Sequence, residues 1–193
     1  AAALARPGKG LLLGPWYTRH GHLYKVKKDE HTILIDILGE HIAPFAKEHG
    51  VVAALEPLRA HEQSLVMPGD EALRIVKAVN SPYIALNGDT VHWAAQAEGS
   101  LTMSIEKLVR SGRCAVLHLS EHNRQEWGTG DIGARTRQLM TVVKRAGYTG
   151  PVVMENFCPP LHSILNIHRP DKHRNGRVKT PYNVLRDGAQ YLT

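Results

Sequence analysis

A chain of 193 residues, 42% of them hydrophobic and 22% charged, is long enough to bury a core as one domain. Its two cysteines, Cys114 and Cys158, exclude a disulfide framework, and no apolar run approaches the roughly 18 residues of a membrane span. The net charge of +6 sits at the two ends: residues 1–30 and 168–193 carry +4 each, whereas residues 31–167 carry −2, which argues against a duplex-binding face in the middle of the chain.

In chain order, Gly10-Leu11-Leu12-Leu13-Gly14 reads as a short strand, followed by a turn-rich loop to about Asp29. Residues 31–49 read as a helix with Ile33, Ile37 and Phe45 on its apolar side and a kink at Pro44. Gly50 closes it, and Val51–Leu55 forms the next apolar run. Pro68-Gly69-Asp70 opens a helix to about Val79, with Leu73, Val76 and Val79 on one face. Tyr83–Leu86 is a third apolar run, and a helix over Ser100–Val109 ends near Gly112. Cys114–Leu117 is the fourth run, with Cys114 expected as a buried free thiol. A long polar loop leads to a helix from about Gly133 to Ala146, with Gly147 beyond its end. Pro151–Met154 is the fifth strand. Ile164–Ile167 is a weak apolar stretch, and Thr180-Pro181 has the form of a helix N-cap and first turn.

Strands alternate with helices throughout, and the strands are apolar on both faces, as in a parallel α/β sheet covered by helices. Four of these runs lead to a residue that binds divalent metals well: Glu56, Asp89, His118 and Glu155, at intervals of 33, 29 and 37 residues. Each interval is about one strand–helix unit. An open doubly wound sheet shares this rhythm. A (β/α)8 TIM barrel explains more, because closure brings successive strand ends to one C-terminal mouth. The chain is short of the roughly 250 residues such a barrel takes, so the expectation is a single domain over residues 1–193, incomplete at its N-terminus, with about six βα units. Three carboxylates and an imidazole suit Mn²⁺, Co²⁺, Mg²⁺ or Zn²⁺.

Further polar residues follow each strand end. Glu62 lies six residues after Glu56, and Arg124 six after His118; His92 completes Asp89-Thr90-Val91-His92. With Leu55-Glu56-Pro57-Leu58, Gly14-Pro15-Trp16-Tyr17, Gly128-Thr129-Gly130-Asp131-Ile132 and Glu155-Asn156-Phe157, these segments resemble the xylose-isomerase-like sugar isomerases and epimerases. The ketose 3-epimerases of the tagatose/psicose type are the nearest pattern, over about residues 10–160. The resemblance implies that Glu56, Asp89, His118 and Glu155 ligate one divalent ion, Mn²⁺ or Co²⁺. It implies that Glu56 and Glu155 are also the catalytic acid/base pair for epimerising a ketose at C3 through an enediolate. Glu62, His92 and Arg124 would bind the substrate. Asn87-Gly88 replaces an apolar pair usual before the aspartate, which would loosen that strand end.

Several side chains get plainer readings. Arg59, His61, Glu121 and His122 read as solvated or supporting groups, and the glycines around Thr129 as a flexible turn. Trp16, Tyr17, Trp93 and Trp127 read as packing aromatics with a sugar-stacking alternative. Lys172, Arg174 and Arg177 would supply a phosphate grip, although an unphosphorylated sugar is preferred. The rival activities are hydroxypyruvate isomerase or inosose dehydratase chemistry on the same ligands, an endonuclease IV-like DNA-repair enzyme, and an inactive truncated remnant. The endonuclease needs extra histidines and aspartates on the loop after His118, which reads Asn123-Arg124-Gln125-Glu126 and lacks an Asp-x-His pair. The expected partner is a small-molecule sugar, with no nucleic acid and no membrane, self-association left open, and a cytoplasmic location because no signal peptide is evident.

Overall fold

The computed structural model describes residues 10–96, 100–122, 124, 127–128 and 130–156. Among these residues five strands, β1 (Leu11–Gly14), β2 (Val52–Leu55), β3 (Ile84–Asp89), β4 (Cys114–Leu119) and β5 (Val152–Met154), lie side by side in chain order, and every pairing between them is parallel. A doubly wound sheet reverses its strand order partway. Here the order never reverses, and the strands form half of a TIM-barrel wall. The stretch Ile164–Ile167, the helix expected at Thr180-Pro181, the basic residues Lys172, Arg174 and Arg177, and Cys158 lie outside the described residues. Among the described residues, no helix is long and apolar enough to cross a membrane.

The helices cover one face of this wall. They are α1 (Glu30–Ile37), α2 (Ala43–Glu48), α3 (Asp70–Val79), α4 (Thr90–Gln96), α5 (Leu101–Arg110) and α6 (Thr136–Arg145). Ala53, Leu55, Ile84, Leu86, Leu117 and Leu119 meet the buried faces of the helices in one core. Val52, Ala54, Ala85 and Ala115 form a second, smaller cluster with Leu13. Strand alternation places Glu56 in line with Val52 and Ala54, and Asp89 in line with Ala85 and Asn87, so the polar strand ends belong to this second face.

The first helix departs from its expected orientation. Ile33, Ile37 and Phe45 are 50, 45 and 60% exposed, and the buried residues are Leu34, Leu38, Ala43 and Ala46. A π-helical turn over Leu38–Ile42 separates α1 from α2, with the Ala43 N–H donating to the Leu38 carbonyl. That turn inserts one residue and rotates the face, which is why Leu38 and Ala43 share a side five positions apart. The irregularity expected at Pro44 is thus a widened turn immediately before it: the helical backbone runs on through Leu38–Ile42 into α2, and the π turn accommodates a proline that has no N–H to give the ladder.

The other helices follow the sequence. Leu73 and Val76 are buried on α3, and Asn80 ends it at φ +50. Ser100 caps α5 by accepting the Met103 N–H at 3.3 Å. Cys114 is buried as expected. The short α4, directly after Asp89, has no separate signal in the sequence. Gly88 has a packing reason: a β-carbon there would stand 2.7 Å from Leu108 Cδ2 and 2.8 Å from Leu117 Cδ2. Its absence lets α5 close onto β3 beside a register shift between Leu86 and Asn87. The strand end is packed tightly rather than loosened.

Candidate metal and substrate site

Parallel register aligns the polar strand ends. Asp89 pairs directly with His118. Glu56 follows β2 with its N–H on the Gly14 carbonyl at 3.1 Å, and Glu155 follows β5 with its N–H on the Leu119 carbonyl at 3.0 Å. One ligand atom from each of Glu56, Asp89, His118 and Glu155 lies within 4.8 Å of the others. His118 Nδ1 is 3.8 Å from Glu56 Oε1 and 3.7 Å from Glu155 Oε2. The donor set, oxygens with one imidazole nitrogen, fits a hard or borderline divalent cation.

Asp89 is the most firmly held of the four. It is fully buried, and its Oδ1 accepts the Val91 N–H at 2.7 Å and the Ser120 hydroxyl at 2.5 Å. Thr90 locks the same strand end: its hydroxyl donates to the Ser120 carbonyl and accepts the Ser120 N–H, both at 2.8 Å. Asn87, also buried, brings its amide nitrogen within 3.1 Å of His118 Nδ1.

The three residues expected to bind substrate adjoin this cluster. Arg124 Nη1 donates to Asp89 Oδ2 at 3.0 Å and to Glu155 Oε2 at 2.8 Å, and Nη2 lies 2.9 Å from His92 Nε2. His92 Nδ1 lies 3.2 Å from Glu62 Oε2, and Glu62 Oε1 accepts from Arg59 Nη2 at 2.8 Å. Nδ1 faces both Glu62 and, at the longer distance of 3.4 Å, the Arg59 N–H; with Nε2 accepting from Arg124, the neutral imidazole carries its proton on Nδ1 toward Glu62. Burial pushes His92 down to about 4, against the pull of Asp89, which agrees with that state.

The acids are driven apart. Burial, then Asp89 and Glu155, pushes the Glu56 carboxyl up to about 8. Burial and the neighbouring Asp89 raise Glu155 as well. Burial also opposes ionisation of Asp89, but His92, Arg124 and the hydrogen bonds to Asp89 outweigh it and hold that carboxyl well below its usual range. Burial disfavours the His118 cation, yet Glu155 and then Glu56 and Asp89 raise the imidazole above its ordinary value. Glu62 is held low: Arg59, His92 and Arg124 overcome the effect of burial. The result is a pocket with more negative groups than its one guanidinium offsets.

Of the two readings of Glu121, solvated or supporting, burial excludes the first: the side chain is fully buried. The glycine turn after it is not a flexible connection, because the Gly128, Ile132 and Gly133 N–H groups all donate to the Glu121 carboxylate. The sequence signal is an acid with several glycines at short range after it, which taken separately pass for two surface features. His122, in contrast, is exposed and lies 3.7 Å from an exposed Asp131, and His61 is exposed. Arg59 touches Glu62 rather than solvent alone. Trp93 and Trp127 are buried in the helix-side core, whereas Trp16 and Tyr17 are half-buried and donate to the carbonyls of Ala54 and Glu56 at 3.3 and 2.9 Å. Ser120 belongs to the site without any mark in the sequence, Thr90 is marked only as a member of the Asp89-Thr90-Val91-His92 segment, and Asn87 stands out only as a departure from the family pattern.

Known proteins resemble the chain in the same sense. The Xylose isomerase-like TIM barrel family matches residues 26–186. A ketose 3-epimerase of Arthrobacter globiformis is 29% identical over 133 residues, covering 66% of this chain and 44% of the relative. An inosose isomerase of Halalkalibacterium halodurans is 30% identical over 141 residues, covering 67% of this chain and 48% of the relative. The chain thus spans about half the length of the curated relatives it matches. A solved L-ribulose 3-epimerase superposes on 94% of the chain, and on 61% of its own, with a TM-score of 0.77 at 21% identity, which speaks to the fold alone. With five parallel strands in barrel order and a family match over most of its length, the chain belongs to the xylose isomerase-like TIM-barrel family.

Proposed function

We propose that this chain carries the metal centre of a sugar isomerase or epimerase, one that epimerises a ketose at C3. Glu56, Asp89, His118 and Glu155 would hold one divalent ion, Mn²⁺ or Co²⁺ in preference to Mg²⁺ or Zn²⁺. The gathering of their four ligand atoms within 4.8 Å is the observation that carries this reading. Two relatives, 29 and 30% identical over about two thirds of the chain, are named for ketose and inosose substrates. The bound cation would act as a Lewis acid on the sugar's carbonyl and the adjacent hydroxyl.

The chain's own groups supply the proton traffic. Glu56 and Glu155 flank His118, and in this reading one takes the C3 proton while the other returns a proton to the opposite face, the roles exchanging with direction. Loss of the C3 proton gives an enediolate, and Arg124, with the neutral His92 accepting from its Nη2, presents donors on this side of the pocket to the sugar oxygens. Glu62, ion-paired to Arg59, would accept a hydrogen bond from a substrate hydroxyl. The domain is taken as a single one over residues 1–193, cytoplasmic, acting on a small sugar, with its assembly state open.

The test is a panel assay on the purified protein, stripped with chelator and reloaded with Mn²⁺ or Co²⁺. Ketoses, inosose, hydroxypyruvate and abasic-site DNA are offered in parallel. Metal-dependent C3 epimer formation with solvent deuterium entering at C3 is the expected result. Exclusive turnover of inosose or hydroxypyruvate redirects the substrate and keeps the centre. Nicking of abasic DNA, or absence of any metal-induced rise in melting temperature, overturns the proposal.

A further inference from the structure

Glu121 is fully buried, yet among the described residues its partners are backbone amides rather than a basic side chain. Oε1 accepts from Gly128 at 3.0 Å and Gly133 at 2.8 Å, and Oε2 accepts from Ile132 at 3.2 Å. Converging amides of this kind form an anion cradle, and here the anion comes from the same loop. The glycines permit the approach. A β-carbon at Gly130 would stand 2.5 Å from Oε2, one at Gly133 would collide with Oε1 and the Gly128 backbone, and Gly128 itself sits at φ +88.

Arg124 lies between the carboxylate and its cradle in sequence. Its N–H donates to the Glu121 carbonyl at 2.8 Å, and its backbone is left-handed at φ +58, a conformation that needs support from its surroundings. Its guanidinium then reaches Asp89, Glu155 and His92. Glu121 therefore ties both ends of the segment that presents Arg124.

We infer that Glu121 is a positioning residue: by drawing the Gly128, Ile132 and Gly133 amides onto its carboxylate, it fixes the Arg124 guanidinium over Asp89 and Glu155. Its effect on turnover rests on the sugar isomerase reading above, whereas its effect on Arg124 does not.

The experiment compares wild type, Glu121→Gln and Gly130→Ala. Glutamine keeps the shape but turns an N–H₂ donor toward amide donors, and alanine at 130 crowds Oε2 while leaving the charge in place. The first readout needs neither metal nor sugar: hydrogen exchange at Gly128, Ile132 and Gly133, and the Arg124 Nε–H resonance, assigned by its loss in Arg124→Lys. Faster exchange together with broadening or loss of that resonance is expected in both variants. The second readout is kcat/KM on the sugar that wild type turns over, expected to fall roughly ten- to a hundredfold, as misplacement by about 1 Å does. Glu121→Gln added to Arg124→Ala should cost nothing beyond Arg124→Ala alone. An unchanged Arg124 resonance, an additive double variant, or collapse of the whole fold in both single variants overturns the inference by reducing Glu121 to a structural residue. A wild type that turns over no sugar sinks the proposed activity, and the first readout still decides the role of Glu121.

Discussion

The metal-free protein should lose stability between pH 6.5 and 8, and Glu56→Gln should remove most of that loss. Burial, Asp89 and Glu155 raise the Glu56 carboxyl from 4.5 to about 8. A carboxyl raised in the fold favours the fold while protonated. That contribution is complete below pH 4.5 and drains away up to pH 8, at about 1.4 kcal/mol per pH unit. His92 acts in the opposite direction, because burial lowers it from 6.5 to about 4; the fold gains at the same rate as pH rises from 4 to 6.5. The two slopes offset each other up to pH 6.5. Above it Glu56 acts unopposed over 1.5 pH units, a loss of roughly 2 kcal/mol, and the raised Glu155 and His118 have the same sign. For a chain of this size that is about 4–8 °C in melting temperature. Thermal melts in chelator at half-unit pH steps read it directly. A wild-type melting temperature that is level or rising from pH 6.5 to 8, or a Glu56→Gln profile as steep as wild type, refutes the reasoning.

Divalent metal should reverse that profile. The ligands must release protons to bind it, so the affinity of Mn²⁺ or Co²⁺ measured by calorimetry should climb with pH toward 8. At a hundredfold excess over Kd the fold should gain about 2.7 kcal/mol, and Asp89→Asn should abolish the gain. Arg124→Ala leaves Asp89 and Glu155 facing each other without their guanidinium; denaturant unfolding of the metal-free protein should show a loss of about 3–5 kcal/mol, the cost of stranding buried charge. Gly88→Ala drives a methyl group into Leu108 and Leu117, so urea unfolding should register about 1–3 kcal/mol of overpacking; a change within experimental error would show that α5 backs away freely.

The strand ends are legible because a run such as Val51–Leu55 has only one sensible use in an alternating α/β chain, and because each run leads into a metal-binding side chain. Spacing of about one βα unit then fixes order and direction, and parallel register does the rest: Asp89 falls opposite His118. The first helix misleads for an equally physical reason. Apolar residues occupy two of its sides, and periodicity alone does not reveal the extra residue in the π turn that decides between Leu34 with Leu38 and Ile33 with Ile37. Glu121 is hidden because its partners are main-chain amides, which nearly every residue possesses and no letter of the sequence marks. Ser120 escapes for a related reason: a hydroxyl on a neighbouring strand becomes a partner of Asp89 only once the register is known.

The charges around the proposed centre also constrain what fills it. Glu56, Asp89 and Glu155, once ionised, bring three negative charges into a region where Asp89 is fully buried and Glu56 nearly so. Arg124 offsets one of them through its contacts to Asp89 and Glu155. Glu62 is already ion-paired to Arg59, and a liganding His118 is neutral. Two negative charges remain, and a low-dielectric pocket does not retain them uncompensated. Without a cation the pocket answers by holding protons, on Glu56 up to about pH 8 and on His118 above its ordinary range. A divalent ion would balance the set, so that Glu56 and Glu155 would no longer both need to hold protons at neutral pH. A monovalent ion leaves one charge over, so Na⁺ or K⁺ at concentrations far above those of Mn²⁺ should fail to flatten the pH profile of the melting temperature.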